Sequence, residues 1–237
     1  MKISTLFLVF LFGCLSITAQ SIIGAWEHDY ASENGDALKT TIIFSDGHQV
    51  STTYDAKTGE FINTTGGSYA LSGDTLNELI EFDTENAERV GTEVAHKVAL
   101  NDKMMTFTGT GEQFTRIDDG SPGKLQGAWL MSGRVVDGKK QQRATDGPRK
   151  TMKILSGTRF QWIAYNTETK QFMGTGGGTY TTIDGVYVEN IGFFSRDNSR
   201  VGASLDFKFE LKDGDWHHSG LSSKGDPINE IWSLRAD

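Results

Sequence analysis

GGGTYTTIDGVYVENIGFF, running from Gly176 to Phe194, is the stretch whose reading decides the fold. A glycine-opened run reaches a turn at Asp184-Gly185, and a second run follows with a carboxylate, Glu189, among apolar residues. Two such runs about a short Asp-Gly turn read as paired antiparallel strands. The chain contains the phrase twice. The earlier copy is TGGSYALSGDTLNELIEFD, Thr65 to Asp83, and the two superpose at an offset of 111 residues. Tyr69 then matches Tyr180, Glu78 matches Glu189, Ile80 matches Ile191 and Phe82 matches Phe193. Self-similarity at a fixed offset marks a duplicated structural unit.

The repeat divides the 237 residues into domains at 20–118 and 124–237, joined by the turn-forming segment Asp118-Asp119-Gly120-Ser121-Pro122-Gly123. Each half opens with the same tripeptide, Gly24-Ala25-Trp26 and Gly127-Ala128-Trp129. In the second half, short alternating runs are expected near 127–136, 150–156, 158–166, 177–183, 186–195, 203–212, 215–222 and 228–235. Only three prolines stand against 28 glycines, and helical periodicity of useful length is missing. The expectation is an all-β protein of two tandem eight-stranded antiparallel up-and-down barrels. A barrel of about eight strands is wide enough to be packed with side chains or to hold one small ligand.

Residues 2–19 read as an export signal: Lys2, an apolar run from Leu6 to Leu15, then Ser16-Ile17-Thr18-Ala19, with cleavage expected after Ala19. A periplasmic or secreted protein follows, without a membrane span, because the apolar run is too short for one. Leu11-Phe12-Gly13-Cys14 is a weak lipobox, and lipidation at Cys14 is the less favoured alternative. Cleavage removes the only cysteine, which excludes disulfides and thiol catalysis from the mature chain. It leaves 22 basic against 31 acidic residues, a balance that disfavours nucleic acid and suits a monomer or small oligomer.

A Gly-x-Trp on the first strand, an arginine on the last and eight strands between them resemble the lipocalin-like (calycin) barrels, chiefly the small domains of secreted Bacteroidetes proteins. The resemblance implies that the tryptophan closes one barrel end and the last-strand arginine packs across it. Trp26 with Arg116, and Trp129 with Arg235, are the matching positions. A family of carriers, enzymes and proteins of unassigned role carries fold, not function.

Strand alternation places Leu76, Glu78, Ile80 and Phe82 on one face, and Tyr187, Glu189, Ile191 and Phe193 on its copy. A carboxylate on an apolar face is expected inside the barrel, where it must be paired, hydrogen-bonded or protonated. His96 replaces an inward aromatic of the second repeat, whereas Met105 and Phe107 become Trp216 and His218. Each barrel thus carries one inward histidine, and His217 should face out. The set His218, Glu189, Tyr165 and Tyr180 is the candidate catalytic constellation. The second repeat also has about eight extra residues after its first strand. Arg134, Lys139, Lys140, Arg143, Arg149 and Lys150 there face only Asp137 and Asp146. Such a loop reads either as a solvated surface or as a lid attracting an anion. Arg134, Arg143, Arg149, Arg159, Trp162, Trp216, His96 and Glu78 are the candidate ligand-binding residues.

Several patterns carry no chemistry. Gly174-Thr175-Gly176-Gly177-Gly178 precedes a strand and no helix, so it is not a phosphate loop. His217-His218 lacks partners at metal-ligand spacing, and no cofactor is implied. Two functions lead, ahead of a purely structural or interaction role. One is a binding module for a small polar or anionic ligand, such as a uronic-acid oligosaccharide. The other is a lyase or dehydratase in polysaccharide degradation, eliminating across a uronate by His/Tyr/Glu acid–base chemistry. Ordinary glycoside hydrolysis needs a second inward carboxylate.

Overall fold

The computed structural model describes residues 21–121, 123–222 and 224–235. The expected export signal, its cleavage point and Cys14 lie outside the described residues. None of the described helices is long and apolar enough to cross a membrane.

Two closed antiparallel barrels stand in tandem. The first consists of β1 (Gly24–Ala31), β2 (Ala37–Phe44), β3 (His48–Asp55), β4 (Phe61–Ser72), β5 (Thr75–Asp83), β6 (Glu93–Leu100), β7 (Met104–Phe107) and β8 (Glu112–Asp118). The second consists of β9 (Gly127–Val136), β10 (Lys139–Gln142), β11 (Arg149–Leu155), β12 (Arg159–Asn166), β13 (Gln171–Ile183), β14 (Val186–Phe194), β15 (Ser204–Lys212), β16 (Asp215–Leu221) and β17 (Pro227–Leu234). Pairing of β9 with β17 closes its eight-stranded wall, and β10 is a short flap paired only to β9.

One barrel end is shut in the same way in both repeats. Trp26 Nε1 donates to the Ile22 carbonyl at 2.9 Å, and Trp129 Nε1 to the Leu125 carbonyl at 2.9 Å. The Tyr69 hydroxyl donates to the Ser45 carbonyl, and its copy Tyr180 to the Ser156 carbonyl. Arg116 lies 4.1 Å over the Trp26 ring, as the lipocalin-like resemblance implies. Arg235 does not repeat this. Arg116 stands opposite Trp26 in the strand register, but the residue opposite Trp129 is Leu234. One position further along, Arg235 crosses to the first barrel and grips Glu81 with both terminal nitrogens.

The glycine run lies within β13 rather than before it. Gly176 faces Trp162 and Phe194, whose nearest atoms would lie 2.7 Å from a Cβ there. The register slips between Gly66 and Gly67 and again between Gly177 and Gly178. A Cβ on Gly67 or Gly178 would sit 2.0 Å from the carbonyl oxygen of Leu79 or Asn190. The bulge leaves Glu81 unpaired in β5 and Gly192 unpaired in β14. An extra residue flips every side chain beyond it. Phe82 and Phe193 therefore leave the inward face expected for them and point between the barrels.

Phe82 builds a buried interface with Ile43, Val50, Leu130, Met152, Ile154 and Ile163. Its contacts are exchanged between the repeats. Phe82 packs on Tyr165 at 4.8 Å, whereas their copies Phe193 and Tyr54 stack at 5.0 Å. Phe61 stacks on its own copy, Phe172, at 6.0 Å. Reciprocal contacts with one self-contact define a pseudo-two-fold, isologous interface. Gln161 fastens its centre, donating to Thr64 and Thr175 (another pair of copies) and accepting from Thr52. Beside it, the Asp118 carboxylate anchors the inter-barrel linker to Ser156, Gly157 and Thr158.

Candidate functional site

The lumen of the second barrel holds the concentration of ionisable groups. β11 alternates between two environments: Met152 and Ile154 enter the inter-barrel core, while Lys153 enters the lumen. Lys153 Nζ meets Glu189 Oε1 at 2.7 Å, and both side chains are almost wholly buried. Four rings surround the ammonium, those of Tyr187, Phe207, Trp216 and Trp232, with centroids 5.1–5.8 Å away. A carboxylate and aromatic faces together replace the hydration that a buried ammonium has lost.

β16 and β17 contribute a second pair. His218 Nδ1 lies 3.2 Å from Glu230 Oε2, and Trp232 Nε1 donates to the same oxygen at 3.1 Å. Burial drives the Glu230 pKa up, but the His218 hydrogen bond and the Lys153 charge outweigh it and hold the group below its ordinary value. His218 is lowered by burial and then by the Lys153 charge, against the opposing pull of Glu230. This is the arrangement in which a neutral imidazole donates through Nδ1 to a carboxylate and keeps its lone pair on Nε2. That Nε2 and the Trp216 indole nitrogen are fully buried without a hydrogen-bond partner, and the Tyr187 hydroxyl is buried beside Glu189. Burial, then the neighbouring Glu189 charge, raises the Tyr187 hydroxyl well above its ordinary value.

Above these pairs lies a cavity of about 230 Å³, with Trp162, Phe194 and Trp232 among its walls and Lys153, Glu189, His218 and Glu230 on its polar side. Arg196 lies 5.7 Å over the ring of the wall residue Trp162.

The expected residues separate into groups. Glu189, His218, Trp162 and Trp216 share the lumen, with Trp216 one layer deeper than the cavity wall. Tyr180 is also inside, but its hydroxyl is committed to the closed end and has the same role as Tyr69. Tyr165 is on the other side of the wall. β12 sends Phe160 and Trp162 inward and Gln161, Ile163 and Tyr165 outward, and the Tyr165 hydroxyl donates to Glu81 at 2.5 Å. Arg159 shares that outward parity and bonds Glu27 of the first barrel at 3.2 Å. Neither belongs to the lumen, because period-two alternation places them on the opposite face.

The basic segment does not form a lid on this cavity. It folds as the β9–β10 hairpin, with Arg134 bonded to Gln141 and Arg143 turned back against Met131. Arg134, Arg143 and Arg149 are absent from the cavity wall. In the first barrel, His96 Nε2 and Glu78 Oε2 lie 3.4 Å apart, so the expected inward pair is present there too. His217 lies on the outer face, as expected.

Lys153 and Glu230 were not singled out from the sequence. A signal for Lys153 existed. Lys153 stands opposite Trp129, and the residue opposite Trp26 is Ile42. Aligning the strands after the two Gly-x-Trp motifs exposes an apolar-to-lysine exchange at an inward position.

Residues 124–235 match the family model described as Domain of unknown function (DUF4488). The matched span coincides with the barrel that holds the cavity. No curated protein matches the chain. Among the described residues, no three His, Cys, Asp or Glu side chains come together as a metal-holding group.

Proposed function

We propose that the second barrel is a binding module that holds a small polar ligand bearing an anionic group, of the uronic-acid type, without transforming it. The supporting observation is the Ile42-to-Lys153 difference between the repeats, which turns an apolar lumen position into one half of a buried ion pair. Burying an ion pair and a histidine–carboxylate pair costs several kcal/mol that an apolar filling would avoid. An apolar cargo needs none of these groups. Lys153 spends one N–H on Glu189 and has two left, and the Trp162 and Trp232 rings suit the faces of a sugar. At about 230 Å³ the cavity suits one sugar-sized unit, so an oligosaccharide enters by its end. An exported setting, as the N-terminal residues suggest, supplies such ligands.

The test is calorimetric titration with glucuronate and glucose, acid and neutral forms of one ring. Binding of glucuronate in preference to glucose, lost in Lys153→Met, is the expected result. Equal binding of both sugars, or unchanged binding in Lys153→Met, refutes the reading.

One observation favours catalysis instead: a neutral His218 held by Glu230 has the form of a positioned general base. Against it, Nε2 is wholly buried, and Tyr165 lies outside the lumen. Absorbance of a conjugated uronate on incubation with acidic oligosaccharides, abolished by His218→Ala, would establish elimination in place of simple binding.

A further inference from the structure

The pseudo-two-fold interface creates two related clefts between the barrels, and their chemistry differs. In one, the bulge residue Glu81 places its carboxylate in the wall. Its carboxylate accepts from the Tyr165 hydroxyl and from both terminal nitrogens of Arg235, with Lys150 on the same wall. The copies of Glu81, Tyr165 and Lys150 in the other cleft are Gly192, Tyr54 and Lys39, and all three line it. Glycine leaves this cleft without that carboxylate; its space of about 390 Å³ compares with about 460 Å³ beside Glu81, so the two clefts differ in lining charge and not in size.

The groups left behind suit an anion. Arg159 and Lys39 converge on Glu27 from opposite barrels, at 3.2 and 2.9 Å. The lining thus carries two cations and one carboxylate, although the exposed Asp29 also reaches Lys39 from the rim at 3.2 Å. Arg159 spends three of its N–H groups on Glu27 and Thr158. A guanidinium has five, so two are unspent. The Thr179 and Asn190 side chains stand exposed at the rim, and the stacked Tyr54 and Phe193 rings form an apolar wall. Crevices between domains are favoured ligand sites, and arginine suits carboxylates in particular.

We infer that the inter-barrel cleft at Gly192 is a second ligand site, in which the carboxylate of a small molecule occupies the place that Glu81 occupies in its mate. The site is separate from the lumen and does not depend on its function. Its occupant bridges both barrels, so binding stiffens their junction.

The experiment is an amide and arginine side-chain NMR titration of the full chain with acetate, glucuronate and glucose at millimolar concentration. Acetate and glucuronate are expected to shift the Gly192 and Asn190 amides and the Arg159 Nε–H, and glucose to leave them in place. Gly192→Glu restores the carboxylate that the first repeat carries. A Cβ there meets nothing nearer than 3.4 Å, so the backbone accepts it. That variant is expected to abolish the cleft shifts while leaving those of Lys153 and His218 in the lumen. Thr179→Glu, at an exposed rim position, is expected to do the same without touching the bulge, and Arg159→Gln to weaken acetate at least tenfold. Carboxylate shifts confined to lumen signals overturn the cleft site and leave the lumen reading intact. Absence of any cleft shift, or cleft shifts unaltered in both glutamate variants, also overturns it.

Discussion

Replacing Lys153 by isoleucine tests whether the lumen is built for stability or for a ligand. The first barrel already carries isoleucine there, so the side chain fits a strand opposite a Gly-x-Trp tryptophan. At 2.7 Å and an effective dielectric of about 20, the Lys153–Glu189 attraction is about 6 kcal/mol before desolvation is subtracted. Desolvating the two ions costs several kcal/mol each, so the pair adds little net stability. Removing one partner alone strands the other charge. Lys153→Ile should therefore cost about 3–5 kcal/mol, whereas Lys153→Ile with Glu189→Leu should return to within about 1 kcal/mol of the parent. For a chain of this size the single variant loses roughly 10 °C in Tm. Urea and thermal unfolding followed by circular dichroism measure both, with titration of glucuronate alongside. The expected pattern is a double variant that is stable and does not bind. A single variant as stable as the parent, or a double variant as weak as the single, would refute the reasoning.

Glu81→Gln should weaken the junction between the barrels by about 2–4 kcal/mol, since it leaves Arg235 partly buried without its carboxylate; faster proteolysis within the 118–127 linker would report it. Gly178→Ala places a Cβ 2.0 Å from the Asn190 carbonyl oxygen and should cost at least about 3 kcal/mol, read from its unfolding midpoint. Acid should destabilise the fold in two stages. Burial, then Lys153, lowers His218, so its contribution is present above the ordinary imidazole pKa and fades as pH falls below it. Burial pushes Glu81 and Glu230 up, but hydrogen bonds from Arg235 and His218 hold them below the ordinary carboxylate range, so their contribution goes as pH falls through those lowered values. An unfolding midpoint unchanged between neutral and mildly acidic pH would contradict the His218 assignment.

Local pattern determined a great deal here. The duplicated hairpin, the paired Gly-x-Trp motifs and regular alternation are properties of short segments, so two barrels, their strand spans and the inward positions of Glu78, Glu189, His96 and His218 could be read directly. Alternation also made Tyr165 and Trp162 incompatible as lumen partners, since the two lie an odd number of positions apart on one strand. Three things depended on tertiary structure. The bulges at Glu81 and Gly192 shift parity by one residue, and only the facing strand shows where the slip falls. Arg235 lies one position past the register of Arg116, and the closure of β17 on β9 decides that it crosses to Glu81. The partners of Glu189 and His218 come from strands 36 and 12 residues away. Glu230 stands directly opposite His218 in the register of the last hairpin, whereas barrel curvature brings Lys153 to Glu189, an encounter that no local spacing encodes. The GGGTYTTIDGVYVENIGFF stretch thus specified its hairpin unaided, while closure of the second barrel decided that Glu189 meets a lysine, and the packing of the two barrels decided that Gly192 faces a cleft without a carboxylate of its own.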